Sequence, residues 1–291
     1  MMFPKIIDNR YLFIRPILGG LSKNKKAIYK DKKTGDLVFC KFEQHDSLLK
    51  REFDALVYLS KEIDGQTKNK RIVNVPKAID LIAVNGGRAF ITEFVEGKPL
   101  LDLSISSQKE AYLQVLQFLS AVNPIKNAQR KSFLANKSPM YLIVTLPYFL
   151  IKNIWNYPGY FFLFINSYAK LLLFINIWLK LDPNIFCHGD INGSNMLYDK
   201  KSVYLLDFPQ GCMSHKYYDL SIALNSLWLQ KGFQEELYNE AIKLFQLSVS
   251  EEKTLISFIV YNLLQRLGKR YKTFKQEQFY LEKLQRLIKT L

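Results

Sequence analysis

Three side chains in one short stretch have the types and spacing to carry a reaction together. They are Asp190, Asn195 five positions later and Asp207 twelve positions after that, all within Phe186–Gly211, FCHGDINGSNMLYDKKSVYLLDFPQG. Phosphoryl transfer asks a protein for a base beside the acceptor hydroxyl and for hard oxygen ligands that hold Mg²⁺ against a triphosphate. Asp190, on a tight loop, can accept the hydroxyl proton. Asn195 offers a neutral carbonyl oxygen and Asp207 a charged one. The segment between them, Met196-Leu197 to Val203–Leu206 around Asp199-Lys200-Lys201, reads as a hairpin that returns Asp207 to the side of Asn195. The plainer alternative is a hydrophilic loop that happens to carry carboxylates. Three positions matched in both spacing and apolar context argue against it.

Two residues upstream fit the same chemistry. Lys41 ends a β-prone run, VFCKF, and Glu52 sits in the helix-like segment that follows, in the order of a phosphate-gripping lysine and its carboxylate partner. Each alone would be an ordinary surface residue; their order relative to the Asp190 loop raises them above that. Gly19-Gly20-Leu21-Ser22 lies between candidate strands, where backbone amides free of bulky side chains can approach phosphate.

The elements that must position these groups follow from periodicity. Ala27–Tyr29 and Asp36–Phe42 read as strands joined through KDKKTG, and Lys50–Ile63 as an amphipathic helix. Ala78–Val84 and Arg88–Phe94 form a second hairpin around Asn85-Gly86-Gly87. After Gly97-Lys98-Pro99 the pattern turns helical: Gln108–Val122, then a very apolar stretch Met140–Leu179 that Pro147 and Pro158 divide, then Leu220 to the last residue. Tyr160–Leu179 reads as one long buried helix rather than a membrane span, because Asn166, Lys170 and Asn176 interrupt it and a crossing would separate the glycine pair from the Asp190 loop. Met140–Tyr160, rich in Tyr and Phe with Trp155, is expected to pack into the core. An apolar acceptor pocket, or peripheral contact with a membrane or a lipid-linked substrate, is the sharper alternative.

Bulk composition narrows the partners. The chain has 291 residues, 48% of them hydrophobic, which is enough for a sizeable core. Its net charge of +15 favours acidic partners such as nucleotides, but the excess is mostly dispersed lysine. Nucleic acid is not expected, since there is no Cys/His finger, no RNP-like aromatic strand and no compact arginine block. Three widely spaced cysteines, Cys40, Cys187 and Cys212, and an N-terminus without a secretory apolar core fit a cytoplasmic setting.

HGDINGSN resembles the HGDxxxxN catalytic loop of the aminoglycoside phosphotransferase and choline kinase-like family, part of the protein-kinase-like superfamily, and LLDF resembles its metal-binding strand end. The resemblance implies an α+β, two-lobed fold: a small antiparallel sheet with one helix over residues 1–96, binding nucleotide, and a larger, mainly helical part over residues 97–291, binding the acceptor. It implies Mg²⁺ as cofactor and ATP or GTP as co-substrate, with phosphoryl transfer to a small-molecule hydroxyl. Asp190 would be the base, Asn195 and Asp207 the metal ligands, and His188 a residue that sets the loop. Gly19, Gly20 and Ser22 would form the nucleotide loop, which resembles the GGLSN type and is lengthened by Lys23–Lys26. LLKREFDALVYL resembles the family helix that carries the carboxylate, here Glu52, facing Lys41. FITEFVEGKPL resembles the strand-to-linker junction, so main-chain groups of Glu93 to Val95 would bond the base. Asp219, in YYDLS, would cap a helix and tie down the catalytic loop. Pro209 stands where the family often has a second acid, and LLDFPQ is similar to the metal strand of RIO-type protein kinases. A protein kinase of that type and a non-catalytic nucleotide-binding module are therefore the rival readings.

Overall fold

β-prone runs joined by short turns need a sheet in which alternate side chains reach a common core. In the computed structural model, which describes residues 3–17, 25–43, 46–65, 73–121, 135–226, 231–269 and 273–291, that sheet has six antiparallel strands. They are β1 (Ile6–Ile7), β2 (Tyr11–Ile17), β3 (Lys25–Asp31), β4 (Leu37–Glu43), β6 (Ala78–Val84) and β7 (Gly87–Glu93), in the order β1-β2-β3-β4-β7-β6. Cys40 on β4 lies opposite Ala27 on β3 and Ile91 on β7, and these three form one apolar cluster with Tyr11, Tyr29 and Val38. β2 is the candidate strand before the glycine pair, to which the sequence gives no bounds because Arg15 and Pro16 interrupt its apolar run. The strand tolerates Pro16 because β1 pairs only with Tyr11 and Leu12, leaving that end of β2 an edge. The β6–β7 turn places Gly86 and Gly87 at positive φ, 87° and 155°, as a two-residue hairpin of this kind demands.

Helix α1 (Asp46–Gly65) packs against β6 and β7. A smaller sheet, in the order β5-β12-β11-β8, joins β5 (Val73–Asn74), β12 (Val203–Leu205), β11 (Met196–Tyr198) and β8 (Lys98–Pro99). By internal contacts the chain divides into two units: Met1–Gln114 with Gly193–Gly211, and Val115–Asn192 with Cys212–Leu291. Residues 97–114 and 193–211 thus pack with the first unit, whereas the sequence boundary falls at 96/97. Helix α2 (Ile105–Ala121) runs from the first unit into the second.

The second unit is mainly helical. It holds β9 (Ala135–Asn136), α3 (Pro139–Asn156), α4 (Phe161–Leu172), α5 (Ile175–Leu179), β10 (Ile185–Cys187), β13 (Cys212–Ser214), α6 (Lys216–Asn225), α7 (Lys231–Phe245), α8 (Val249–Gly268) and α9 (Phe274–Thr290). α8 is buried from Thr254 to Leu264 and starts with a Ser248/Glu251 capping box, in which each side chain satisfies an amide the helix would leave open. Buried polar side chains stitch the neighbouring helices together: Asn153 Nδ2 donates to the Leu264 carbonyl at 2.9 Å and Trp178 Nε1 to Ser257 Oγ at 2.8 Å. Lys283 is buried in α9, and its Nζ donates to the Leu224 carbonyl at 2.9 Å. Burial holds its pKa down at about 7.

Two helical expectations are corrected. Pro147 does not divide the apolar stretch; it lies inside α3 at an exposed position, and the helix continues past it. The expected long helix Tyr160–Leu179 is two helices, α4 and α5. Leu173 and Phe174 bond back three residues, to Lys170 and Leu171, and tighten the chain into a turn there. Nor is that segment buried throughout: Phe164, Leu171 and Trp178 face inward while Phe162 and Leu173 are open to solvent. The three cysteines are buried free thiols.

Candidate active site

Strand alternation decides where Lys41 points. Cys40 belongs to the apolar cluster, so Lys41 faces the opposite side of the sheet, the side its cross-strand partner Phe90 shares. Helix α1 covers that side, with Phe53 edge-on to Phe90 at 6.0 Å. On α1, Glu52 shares a stripe with Ala55, Leu56 and Leu59, all buried. A carboxylate on an apolar stripe must find a partner. It finds two: Lys41 Nζ donates to Glu52 Oε2 at 2.7 Å, and the Phe208 amide donates to Oε1 at 3.3 Å.

The same lysine reaches a second acid. Lys41 Nζ lies 2.5 Å from Asp207 Oδ1. Burial alone would lower the Lys41 pKa, but the charges of Glu52 and Asp207 outweigh it and the net direction is up. Burial raises the pKa of Glu52, with Lys41 opposing. The ammonium therefore stays charged, and it is held in place rather than solvated. Asp207 follows β12 with φ of 69°, a left-handed backbone that costs a non-glycine residue on the order of 1 kcal/mol or more and that clusters at functional sites. One residue earlier, the Leu206 amide donates to the Asn195 carbonyl at 2.9 Å, so the β11–β12 ladder returns the chain beside Asn195 as the hairpin reading expects.

In the second unit the loop after β10 is built on a different carboxylate. Asp219 is buried in the first turn of α6, and its two oxygens accept the amides of His188 at 2.6 Å and Gly189 at 2.9 Å. Burial raises its pKa, opposed by His188 and by those two amides. Gly189 has φ of 82°, which a side chain would strain. His188 Nδ1 accepts the Asp190 amide at 3.3 Å, and Asn192 Nδ2 donates to the Asp190 carbonyl at 3.2 Å. Both bonds fold the backbone about Asp190, whose side chain is half-buried. The helix cap is not Asp219 but His215, whose Nδ1 accepts the Tyr217 amide at 3.4 Å; Asp219 lies too far into the helix to cap it.

Gly19, Gly20 and Ser22 lie outside the described residues. Glu93 ends β7; its amide donates to the Lys77 carbonyl at 3.0 Å and that of Phe94 to Leu37 at 3.4 Å, while Val95 is half-buried just beyond. Two contributors escape a reading of the sequence. The Phe208 amide is a backbone group, and no residue type signals it. Lys269, which caps the C-terminus of α8, has its pKa lowered by burial and held up by the charge of Asp190, and it stands far from Asp190 in sequence.

A divalent ion fits the donors of the first unit. Asn195 and Asp207 supply an amide and a carboxylate, and Mg²⁺ commonly takes only one or two protein oxygens, the rest coming from phosphates and water. Among the described residues no group of three or more acids, histidines or cysteines is placed to hold a metal ion.

An antiparallel sheet crossed by one helix, a buried lysine–glutamate pair and a following, mainly helical unit define the protein-kinase-like fold. Solved structures share it. An aminoglycoside phosphotransferase from Alicyclobacillus acidocaldarius aligns with a TM-score of 0.62 at 14% identity, covering 100% of this chain and 98% of that one. Choline kinase LicA from Streptococcus pneumoniae aligns at 0.60 and 14%, covering 96% and 95%. A thermostable mutant of aminoglycoside phosphotransferase APH(4)-Ia, in ternary complex with ADP and hygromycin B, aligns at 0.62 and 11%, covering 94% and 92%. At the level of sequence no curated protein matches. The model of the phosphotransferase enzyme family matches residues 14–246, and the chain belongs to that family. It is an enzyme, a phosphotransferase of the kinase type.

Proposed function

We propose that this enzyme transfers the γ-phosphoryl group of ATP or GTP to a hydroxyl of a small molecule. The observation that carries the reading is the ammonium of Lys41, fixed 2.7 Å from Glu52 and 2.5 Å from Asp207. A buried lysine steadied by one acid and shared with another is suited to take the α- and β-phosphates of a nucleotide. Asn195 and Asp207 would hold Mg²⁺, which when bound neutralises charge on the phosphate oxygens. Main-chain groups at Glu93 to Val95 would receive the base, and Gly19, Gly20 and Ser22 the phosphates. The reaction is assigned to the cytosol, where nucleoside triphosphates are abundant.

Asp190 accepts the proton of the acceptor hydroxyl as its oxygen bonds to the γ-phosphorus; the bond from that phosphorus to the bridging oxygen breaks, and nucleoside diphosphate leaves. Supporting this role, the loop that presents Asp190 is pinned through the His188 and Gly189 amides to Asp219, so the backbone that carries the carboxylate is set before substrate arrives. The test is coupled nucleotide consumption across amino alcohols, aminoglycosides and sugars, with Asp190→Asn as the blank. That substitution is expected to lower turnover by about 10²–10⁴-fold with nucleotide affinity nearly unchanged. Unchanged turnover would remove Asp190 from the role. Label passing from ATP to protein instead of to small molecules would move the acceptor class, and nucleotide binding without consumption would favour a non-catalytic module.

A further inference from the structure

Helix α3 buries one face, through Leu142, Leu146, Phe149 and Asn153, and leaves the other apolar as well. Val144, Tyr148, Ile151 and Trp155 recur at helical spacing on that outer face; Val144 is 70% exposed, Ile151 68% and Trp155 85%. The adjoining α4 and the turn after it add Phe162 at 83% and Leu173 at 73%. Large apolar side chains rarely stay this open unless something covers them. The expected packing of Met140–Tyr160 into the core therefore holds for only one face of the helix.

Charge indicates what does the covering. From Glu110 to Asp182 the chain carries seven lysines and arginines and no acidic residue between. Lys152 lies on α3 with its Nζ 3.0 Å from Tyr148 Oη, Lys170 is near the end of α4, and Lys180 is exposed just after α5. Aromatic side chains set among lysines, in a segment whose own sequence holds no acid, match the boundary between anionic headgroups and acyl chains. A second copy placed face to face would set these lysines against their own counterparts. No helix among the described residues is long and apolar enough to cross a bilayer, so the geometry suits lying on one.

We propose that the outer face of α3 and α4 docks onto an anionic lipid bilayer, burying Trp155 and Phe162 at the interface while Lys152, Lys170 and Lys180 meet the headgroups. The whole chain is mixed with vesicles of phosphatidylglycerol in phosphatidylcholine, or of phosphatidylcholine alone, and floated at low and at high salt. Flotation is expected with the anionic vesicles and is expected to weaken with salt. The double variant Trp155→Ser/Phe162→Ser should reduce partitioning roughly tenfold or more. Lys152→Glu/Lys170→Glu should also release the protein. Because all four side chains lie outside the core, thermal melting of both variants should match the parent, and that measurement separates lost docking from lost folding. No flotation with anionic vesicles at low salt would overturn the proposal, as would equal flotation of parent and variants. A dimer seen by light scattering without vesicles, and abolished by the aromatic variant, would assign the face to a second copy instead.

Discussion

Glu52 and Asp219 are both buried carboxylates, one in each unit, and burial raises the pKa of each. Glu52 is matched mainly by a side chain, the ammonium of Lys41, with one amide in support. Asp219 is matched by two backbone amides of the loop that carries Asp190. An ion pair of the first kind holds a charge where a ligand can use it. An acceptor of the second kind holds a backbone shape. The two sites should therefore fail differently: the first when charge balance is broken, the second when hydrogen-bond geometry is broken even with the shape kept.

The largest effect is expected at the first site. Lys41→Met leaves Glu52 buried beside an apolar chain, and it should cost about 3–5 kcal/mol of stability in denaturant unfolding, together with a fall in kcat/KM of roughly 10²–10³-fold. Adding Glu52→Gln should recover much of the stability and none of the activity. If stability does not return, the pair is not matched by charge in the way described.

The second site should respond to an isosteric change. Asp219→Asn keeps the shape but offers one acceptor oxygen to two amides and turns an NH₂ group toward the other. A loss of about 1–3 kcal/mol is expected, with turnover reduced while nucleotide affinity is kept. Equal loss of affinity and turnover would mean that Asp219 supports the whole protein rather than its loop.

A smaller effect sharpens the contrast between matched and unmatched burial. Among the described residues the sole partner of Lys283 is a carbonyl, and its pKa falls from 10.5 to about 7. Between those values the unfolded chain holds a proton that the folded chain lacks, so this residue makes stability rise as pH rises from about 7 toward 10.5. Lys283→Met should flatten that part of the curve of stability against pH. Lys41, buried but paired with acids, gives no such rise, because its folded pKa is raised rather than lowered.

The amino-acid sequence by itself determined the local parts. Alternation in VFCKF put Lys41 and Cys40 on opposite faces, helical spacing put Glu52 in line with Leu56 and Leu59, and the hairpin from Met196 to Leu206 followed from its turn residues. These are near-neighbour effects, and residue type and spacing report them directly. Tertiary structure alone decided that Glu52 bonds the Phe208 amide 156 positions away, since a backbone donor carries no mark in the sequence; Asp219 ties down the loop as the family resemblance implies, and the structure moves only the helix cap, to His215. It also decided which apolar letters face solvent. Leu142 and Val144 are both aliphatic, and the packing of α8, α4 and α5 against α3 leaves the first buried and the second open.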